Sequence, residues 1–194
     1  MGLDDRELLA RTSRGDADAF AAFFRRHERS ITAFAVRRCH AADEVADVVS
    51  ETFLVALRRA GAFRAEREDA LPWLYGIAAN VLRDRRRLRD LRRRLLRRLG
   101  TAAPSLTADE SAAIESAIDA SRTADELRGA LLTVPAGERA VFELVALDGL
   151  TPAEAAQALD LTQNAARLRL SRARRRLREA LGPACDDLLE PDRA

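Results

Sequence analysis

The amino-acid sequence predicts an all-α protein: two small helical domains joined by a flexible acidic linker, the C-terminal one containing a helix-turn-helix. Three observations carry that expectation. Apolar residues recur at steps of three and four through most of the 194 residues, the spacing of helices with one buried face. Hydrophobic content is 47% while aromatics are only 5%, so alanine and leucine, which suit helix bundles, must fill the cores. Charge is segregated: residues 83–98 hold ten arginines against Asp84 and Asp90, and residues 99–127 hold six acids against Arg122, so a formal net charge of +2 conceals a polarised chain.

Asp4 or Asp5 caps a short first helix that stops at Gly15. A long helix then runs from Asp16 to about Cys39, with Phe20, Phe23, Phe24, His27, Ile31 and Phe34 on one stripe. His27 has no metal partner at helical spacing and reads as a packed core or boundary histidine. The third helix, Ala42 to about Arg59, turns Val45, Val48, Val49, Thr52, Phe53 and Leu57 inward and shows Asp43, Glu44, Asp47, Ser50, Glu51 and Leu54 on its other side. Ala60 to Ala70 has a glycine, mixed charge and no periodicity, so a surface loop is expected. Pro72 fits the first turn of a fourth helix. Its stripe is Trp73, Leu74, Ile77, Ala78, Val81 and Leu82, which favours core packing over base stacking for Trp73, and its pattern continues through the arginines to Leu99. These elements make a first domain, residues 1–99.

Residues 100–122 are small, polar and acidic, with Pro104, Ser105 and Thr107, and read as the linker, with a weak helix around Asp109 to Ala120. A second domain spans 123–182. It opens with a helix bearing Leu127, Leu131 and Leu132, passes Val134-Pro135, and continues in a helix from Ala136 to Asp148 with Val141, Leu144, Val145 and Leu147, closed by Gly149. A short acidic tail, 183–194, follows.

Thr151 to Leu181 holds the most specific pattern. Ala153, Ala155, Ala156 and Leu159 give a short helix one apolar side, Asp160-Leu161-Thr162 interrupts, and Thr162 is placed to cap a longer helix. There Ala166, Leu170, Ala173 and Leu177 fall within about 40° of one direction at about 100° per residue and must pack inward. The opposite face carries Asn164, Leu168, Ser171 and Arg175, flanked by Arg167, Arg172 and Arg178, with no acid between Thr162 and Arg178. A polar start followed by arginines, held by a preceding helix across a short turn, is the geometry that enters a DNA major groove. Arginine forks match phosphates and guanine edges.

Other functions find no support in the residues. There are no paired catalytic carboxylates, no glycine-rich phosphate loop and no nucleophile–histidine pairing, so no enzyme is expected. Cys39 and Cys185 are too far apart in sequence to suggest a framework, and Cys39-His40 lacks further ligands, so neither metal nor cofactor is expected. The opening MGLDDRELLA is acidic and without an apolar core, and no run approaches membrane-spanning length. No membrane insertion and a cytoplasmic location are expected.

Two segments carry a resemblance. LLTVPAGERAVFELVALDGLTPAEAAQALDLTQNAARLRLSRARRRLREAL resembles the C-terminal helix-turn-helix domain of the extracytoplasmic-function (ECF) sigma factors of bacterial RNA polymerase, through its Leu-x-x-Pro opening, Arg139-Ala140-Val141 and the run Arg169 to Arg174. DEVADVVSETFLVALRRAGAF followed by ALPWLYGIAANVLRDRRR is similar to the promoter-melting domain of the same family. The resemblance implies core RNA polymerase and promoter DNA as partners. It implies that Asp43, Asp47, Ser50, Glu51 and Leu54 dock on a coiled coil of the largest polymerase subunit. It assigns Phe63, Arg64 and Arg67 of the loop, with Asn80, Arg83, Arg85, Arg86 and Arg87, to the minus-ten element, where an unpaired base is captured. It assigns Asn164, Arg167, Leu168, Ser171, Arg172 and Arg175 to the minus-thirty-five element. Many relatives are held inactive by an anti-sigma factor, so such a partner is among those implied. Asn164-Ala165-Ala166 stands where relatives commonly have Gly-Thr-Val, so the DNA sequence read is this chain's own.

Melting asks for no catalytic group. Unpairing a base costs a few kcal/mol, which a pocket and a cationic surface can offset. The competing reading of the residues is a stand-alone helix-turn-helix regulator, which would bind duplex DNA as a dimer without polymerase.

Overall fold

The computed structural model describes residues 3–39, 41–63, 69–98, 126–127 and 129–182. All regular structure among them is helical: α1 (Asp5–Thr12), α2 (Ala17–Val36), α3 (Ala42–Arg58), a 3-10 turn (Ala60–Ala62), α4 (Leu71–Arg98), a helical segment α5 at 129–133, α6 (Ala136–Ala146), α7 (Pro152–Ala158) and α8 (Gln163–Leu181). Arg64, Arg67, His40, Cys185, the linker at 100–122 and the tail at 183–194 lie outside the described residues.

Side-chain oxygens start the helices where the sequence places them. Asp4 accepts from the Glu7 N–H at 2.7 Å, Asp16 from Ala19 at 3.0 Å and Thr162 from Ala165 at 3.2 Å. Thr151 and Glu154 form a reciprocal capping box at α7, with Pro152 in its first turn. Helix α3 begins at Ala41 with no side-chain cap, and Asp43 and Glu44 instead place negative charge at its positive end.

In the N-terminal domain Phe23, Ile31 and Phe34 of α2 meet Val48, Phe53 and Ala56 of α3 and Leu74, Ile77 and Ala78 of α4, all buried. Thr52 is buried too, its hydroxyl donating to the Val48 carbonyl at 2.6 Å. Leu57 departs from its expected inward position: it is exposed, because Ala56 occupies the core-facing position of that turn. In the C-terminal domain Val141, Phe142 and Leu144 pack beneath Ala166, Leu170, Ala173 and Leu177, the four α8 residues whose spacing demands burial. Leu132 and Leu147 are exposed, their turns facing inward through Ala130, Val134 and Leu144 instead.

The two domains touch. Helix α7 lies on α4, so close that a Cβ at Gly76 would sit 2.6 Å from the Ala158 carbonyl oxygen. Beside this contact Arg38, at the end of α2, reaches into the C-terminal domain: Nε donates to Glu143 at 2.8 Å and Nη2 to Asp148 at 2.6 Å. Its guanidinium lies 3.8 Å from the Phe34 ring centroid, and Arg37 also pairs with Asp148. Arg38 is only 6% exposed and the Asp148 side chain is fully buried.

Asp5 is a second buried node. It binds His27 Nε2 at 2.8 Å and Arg26 Nη1 at 2.6 Å, and accepts from the Ala70 N–H at 3.0 Å, tying α1 and α2 to the residue that precedes α4. His27 is thus the packed histidine expected, its ring 4.8 Å from that of Phe23.

Two outcomes are expected. Burial pushes the Asp5 carboxyl up, and hydrogen bonds from His27, Ala70 and Arg26 more than offset it, leaving a pKa of about 2 against the ordinary 3.8. This pKa is depressed on folding, so the stability it contributes is present above about pH 4 and lost as pH falls towards 2, roughly 2 kcal/mol in all. Urea denaturation across that range should show this slope in the wild type and a flatter one in Asp5→Ala. Gly76→Ala should prise α7 from α4, so small-angle scattering should give a larger radius of gyration at unchanged helical circular dichroism; an unchanged radius would contradict the contact.

Candidate nucleic-acid interface

The turn between α7 and α8 is built by Asp160, whose φ of 53° lies in the left-handed region that a short polar side chain tolerates. It lets the Leu161 N–H return to the Ala156 carbonyl at 2.8 Å and delivers Thr162 to its capping position. Gly149, φ 74°, makes the corresponding turn between α6 and α7. Arg176 is paired to Glu138 of α6 at 3.1 Å, and the Arg169 guanidinium lies over Gly137, so these two arginines brace α8 from behind.

The remaining face is open. Asn164, Arg167, Leu168, Ser171, Arg172 and Arg175 are all exposed, while the four residues opposite them are buried. Leu168, 49% exposed, is an apolar group on an arginine face and suits a thymine methyl. Arg175 has one weak link, to Glu179 at 3.8 Å.

On α4 the expected minus-ten residues divide into three groups. Phe63 is half-buried and meets Trp73 edge-on at 5.3 Å, the two rings lining a cavity of about 380 Å³ with Gln157, Asp160 and Leu161. Asn80 accepts from Arg83. Arg83, Arg86 and Arg87 line a groove of about 450 Å³ whose far wall includes Gly137, Arg139 and Arg169 of the other domain. Desolvation, and then the facing Arg139, hold Arg86 below the ordinary guanidinium range, as expected where cations crowd. Arg85 points the other way, to Asp47 at 2.9 Å and Glu51 at 3.0 Å on α3.

The α3 residues expected to dock a protein partner share one outward side. Asp43, Asp47, Ser50 and Leu54 are exposed and Glu51 is half-buried. Leu54, 54% exposed, supplies an apolar group among the acids. Sequence reasoning missed the contact between the domains. Arg37 and Arg38 read as solvated helix-end charges, and Asp148 as a loop acid, because 110 residues separate Arg38 from Asp148 and no local spacing links them.

Models of known families match two parts of the chain: Sigma-70 region 2 at residues 23–94 and Sigma-70 region 4 at residues 124–177. The ECF RNA polymerase sigma factor SigM of Mycobacterium tuberculosis (strain H37Rv) is 33% identical over 92% of this chain and 85% of its own length. The RNA polymerase sigma factor NccH of Alcaligenes xylosoxydans xylosoxydans is 29% identical over 89% of this chain and 92% of its own. Among solved structures, CnrH in complex with the cytosolic domain of CnrY aligns with a TM-score of 0.63 at 28% identity, covering 91% of this chain and 96% of that one. The sigma factor RpoE of Bartonella quintana, in complex with the anti-sigma factor NepR, shares the fold at a TM-score of 0.61 and 22% identity, covering 84% and 97%.

The open face of α8 sets an expectation for DNA. Replacing Arg172 and Arg175 by alanine removes base contacts worth about 1–3 kcal/mol each. Competition between promoter duplexes should show lost selectivity, with circular dichroism unchanged; retained selectivity would take this helix out of the role.

Proposed function

The chain belongs to the ECF sigma factors of RNA polymerase, and from that premise we propose which of its surfaces perform each part of the task. A sigma factor binds core RNA polymerase and directs initiation at particular promoters. The two matched regions stand on one chain in order, which disfavours the stand-alone regulator.

The outward side of α3, with Asp43, Asp47, Ser50, Glu51 and Leu54, docks on the polymerase. Helix α8 lies in the major groove of the minus-thirty-five element. Phe63, Arg64, Arg67, Asn80 and the arginines from Arg83 to Arg87 hold the minus-ten strand once it unpairs. The observation that carries this assignment is α8 itself: six side chains of groove-reading type open on one face, set by a capped start and a buried opposite stripe. The protein acts by binding and not by turnover, and its place of action is the cytoplasm, with polymerase and chromosome. Residues 1–99 and 123–182 serve as the two functional domains, with the acidic segment between them.

Solved relatives bound by CnrY and NepR support an inhibitory protein partner for this chain as well. The arginine groove between α4 and α6 would be covered in such a complex, which suits an acidic partner.

Run-off transcription from a genomic promoter library tests the function. Core polymerase with this chain should give discrete start sites that neither gives alone. Asp47→Ala with Glu51→Ala should weaken holoenzyme formation in a pull-down without lowering the unfolding midpoint. Intact holoenzyme would refute α3 as the docking face.

A further inference from the structure

Three acids on α3 are each met by an arginine from α4. Glu44 takes Arg89, Asp47 takes Arg85 Nη1 at 2.9 Å, and Glu51 takes Arg85 Nε at 3.0 Å. The spacings match as a ladder: the acids stand three and four residues apart on one helix side, and the arginines stand four apart on the other. Hydrogen bonds to Asp47 and Glu51 outweigh the desolvation of Arg85 and hold its guanidinium above the ordinary pKa. Yet the pairs are wet, with Arg85 34%, Glu51 46% and Asp47 61% exposed. Pairs of this kind are weak and exchange readily.

An acidic docking face requires a cationic surface on its partner. That surface and Arg85 compete for the same carboxylates, and Arg85 also belongs to the arginines assigned to the minus-ten strand. We propose that Arg85 and Arg89 are built-in counter-ions of the docking face, displaced when polymerase takes the α3 acids, and that the released Arg85 is passed to promoter phosphate. One guanidinium thereby couples the two binding events. Linkage makes the coupling reciprocal: DNA that captures Arg85 uncovers the carboxylates and tightens polymerase binding. The inference rests on α3 being the polymerase-docking side.

The test is the affinity of core polymerase for the full chain, measured by fluorescence anisotropy with and without a single-stranded minus-ten oligonucleotide. Arg85→Gln should bind core roughly two- to five-fold tighter than wild type, the scale of an exposed ion pair, and should no longer tighten when the oligonucleotide is added. Arg89→Gln should bind tighter as well while keeping the oligonucleotide effect. Arg29→Gln, an equal charge change on the exposed side of α2, controls for long-range field and should match wild type. Core affinity that is unchanged or lower in both Arg85→Gln and Arg89→Gln overturns the proposal while leaving the docking face in place. If Asp47→Asn with Glu51→Gln binds core as wild type does, the docking-face reading itself fails and the proposal with it.

Discussion

Arg38 is the residue on which the relation between the two domains depends. Its guanidinium leaves the N-terminal domain, is nearly excluded from solvent, and is satisfied only by Glu143 and Asp148 of the C-terminal domain and by the Phe34 ring and carbonyl of its own. The net gain from such a pair is small, since desolvation offsets most of the attraction. Its effect is on the alternatives. A shifted docking would leave a buried cation or a buried carboxylate alone, at a cost of several kcal/mol, whereas the apolar contacts of α4 and α7 taken alone would tolerate sliding. The polar pair thus fixes the register, and Gly76 against Ala158 fixes the distance.

That placement decides what the arginines of α4 can do. A helix of 28 residues spans about 42 Å and presents more than one face to its surroundings. Arg85 and Arg89 answer the acids of α3, Arg83, Arg86 and Arg87 look across a groove at Arg139 and Arg169, and the apolar stripe holds the core. A run that looks uniform in sequence is divided by the helical repeat into groups with different partners. The recognition helix α8 is not engaged in this way. Its arginines at 169 and 176 brace it against α6, and the reading face stays clear.

Much of this was legible in the sequence because it is local. The α8 stripe of Ala166, Leu170, Ala173 and Leu177, the caps at Asp4, Asp16 and Thr162, and Pro72 at the start of α4 all follow from residues within a turn of one another. Leu57 and Leu132 show where local pattern gives out: two adjacent apolar residues cannot both face the core, and which one does depends on the helix opposite. Arg38 with Asp148, and Asp5 with His27 and Ala70, were illegible for a stricter reason. A charged residue in sequence carries no mark of burial, and its partner lies 110 or 65 residues away. The candidate site shared the same fate: the α8 face follows from period alone, whereas the pairing of Arg85 with Asp47 and Glu51 needs the packing of α4 on α3.

The contact at Gly76 reaches beyond the molecule itself. Because the backbone of Ala158 occupies the space where any side chain at position 76 would begin, the helix of one domain is shaped by the main chain of the other. The domains are therefore not interchangeable parts. A chimera that joined this C-terminal half to an N-terminal half with a larger residue at that point would retain both folds and both sets of DNA contacts, yet could not close. Recombination between relatives is filtered at this seam, and the two halves must be inherited as a matched pair.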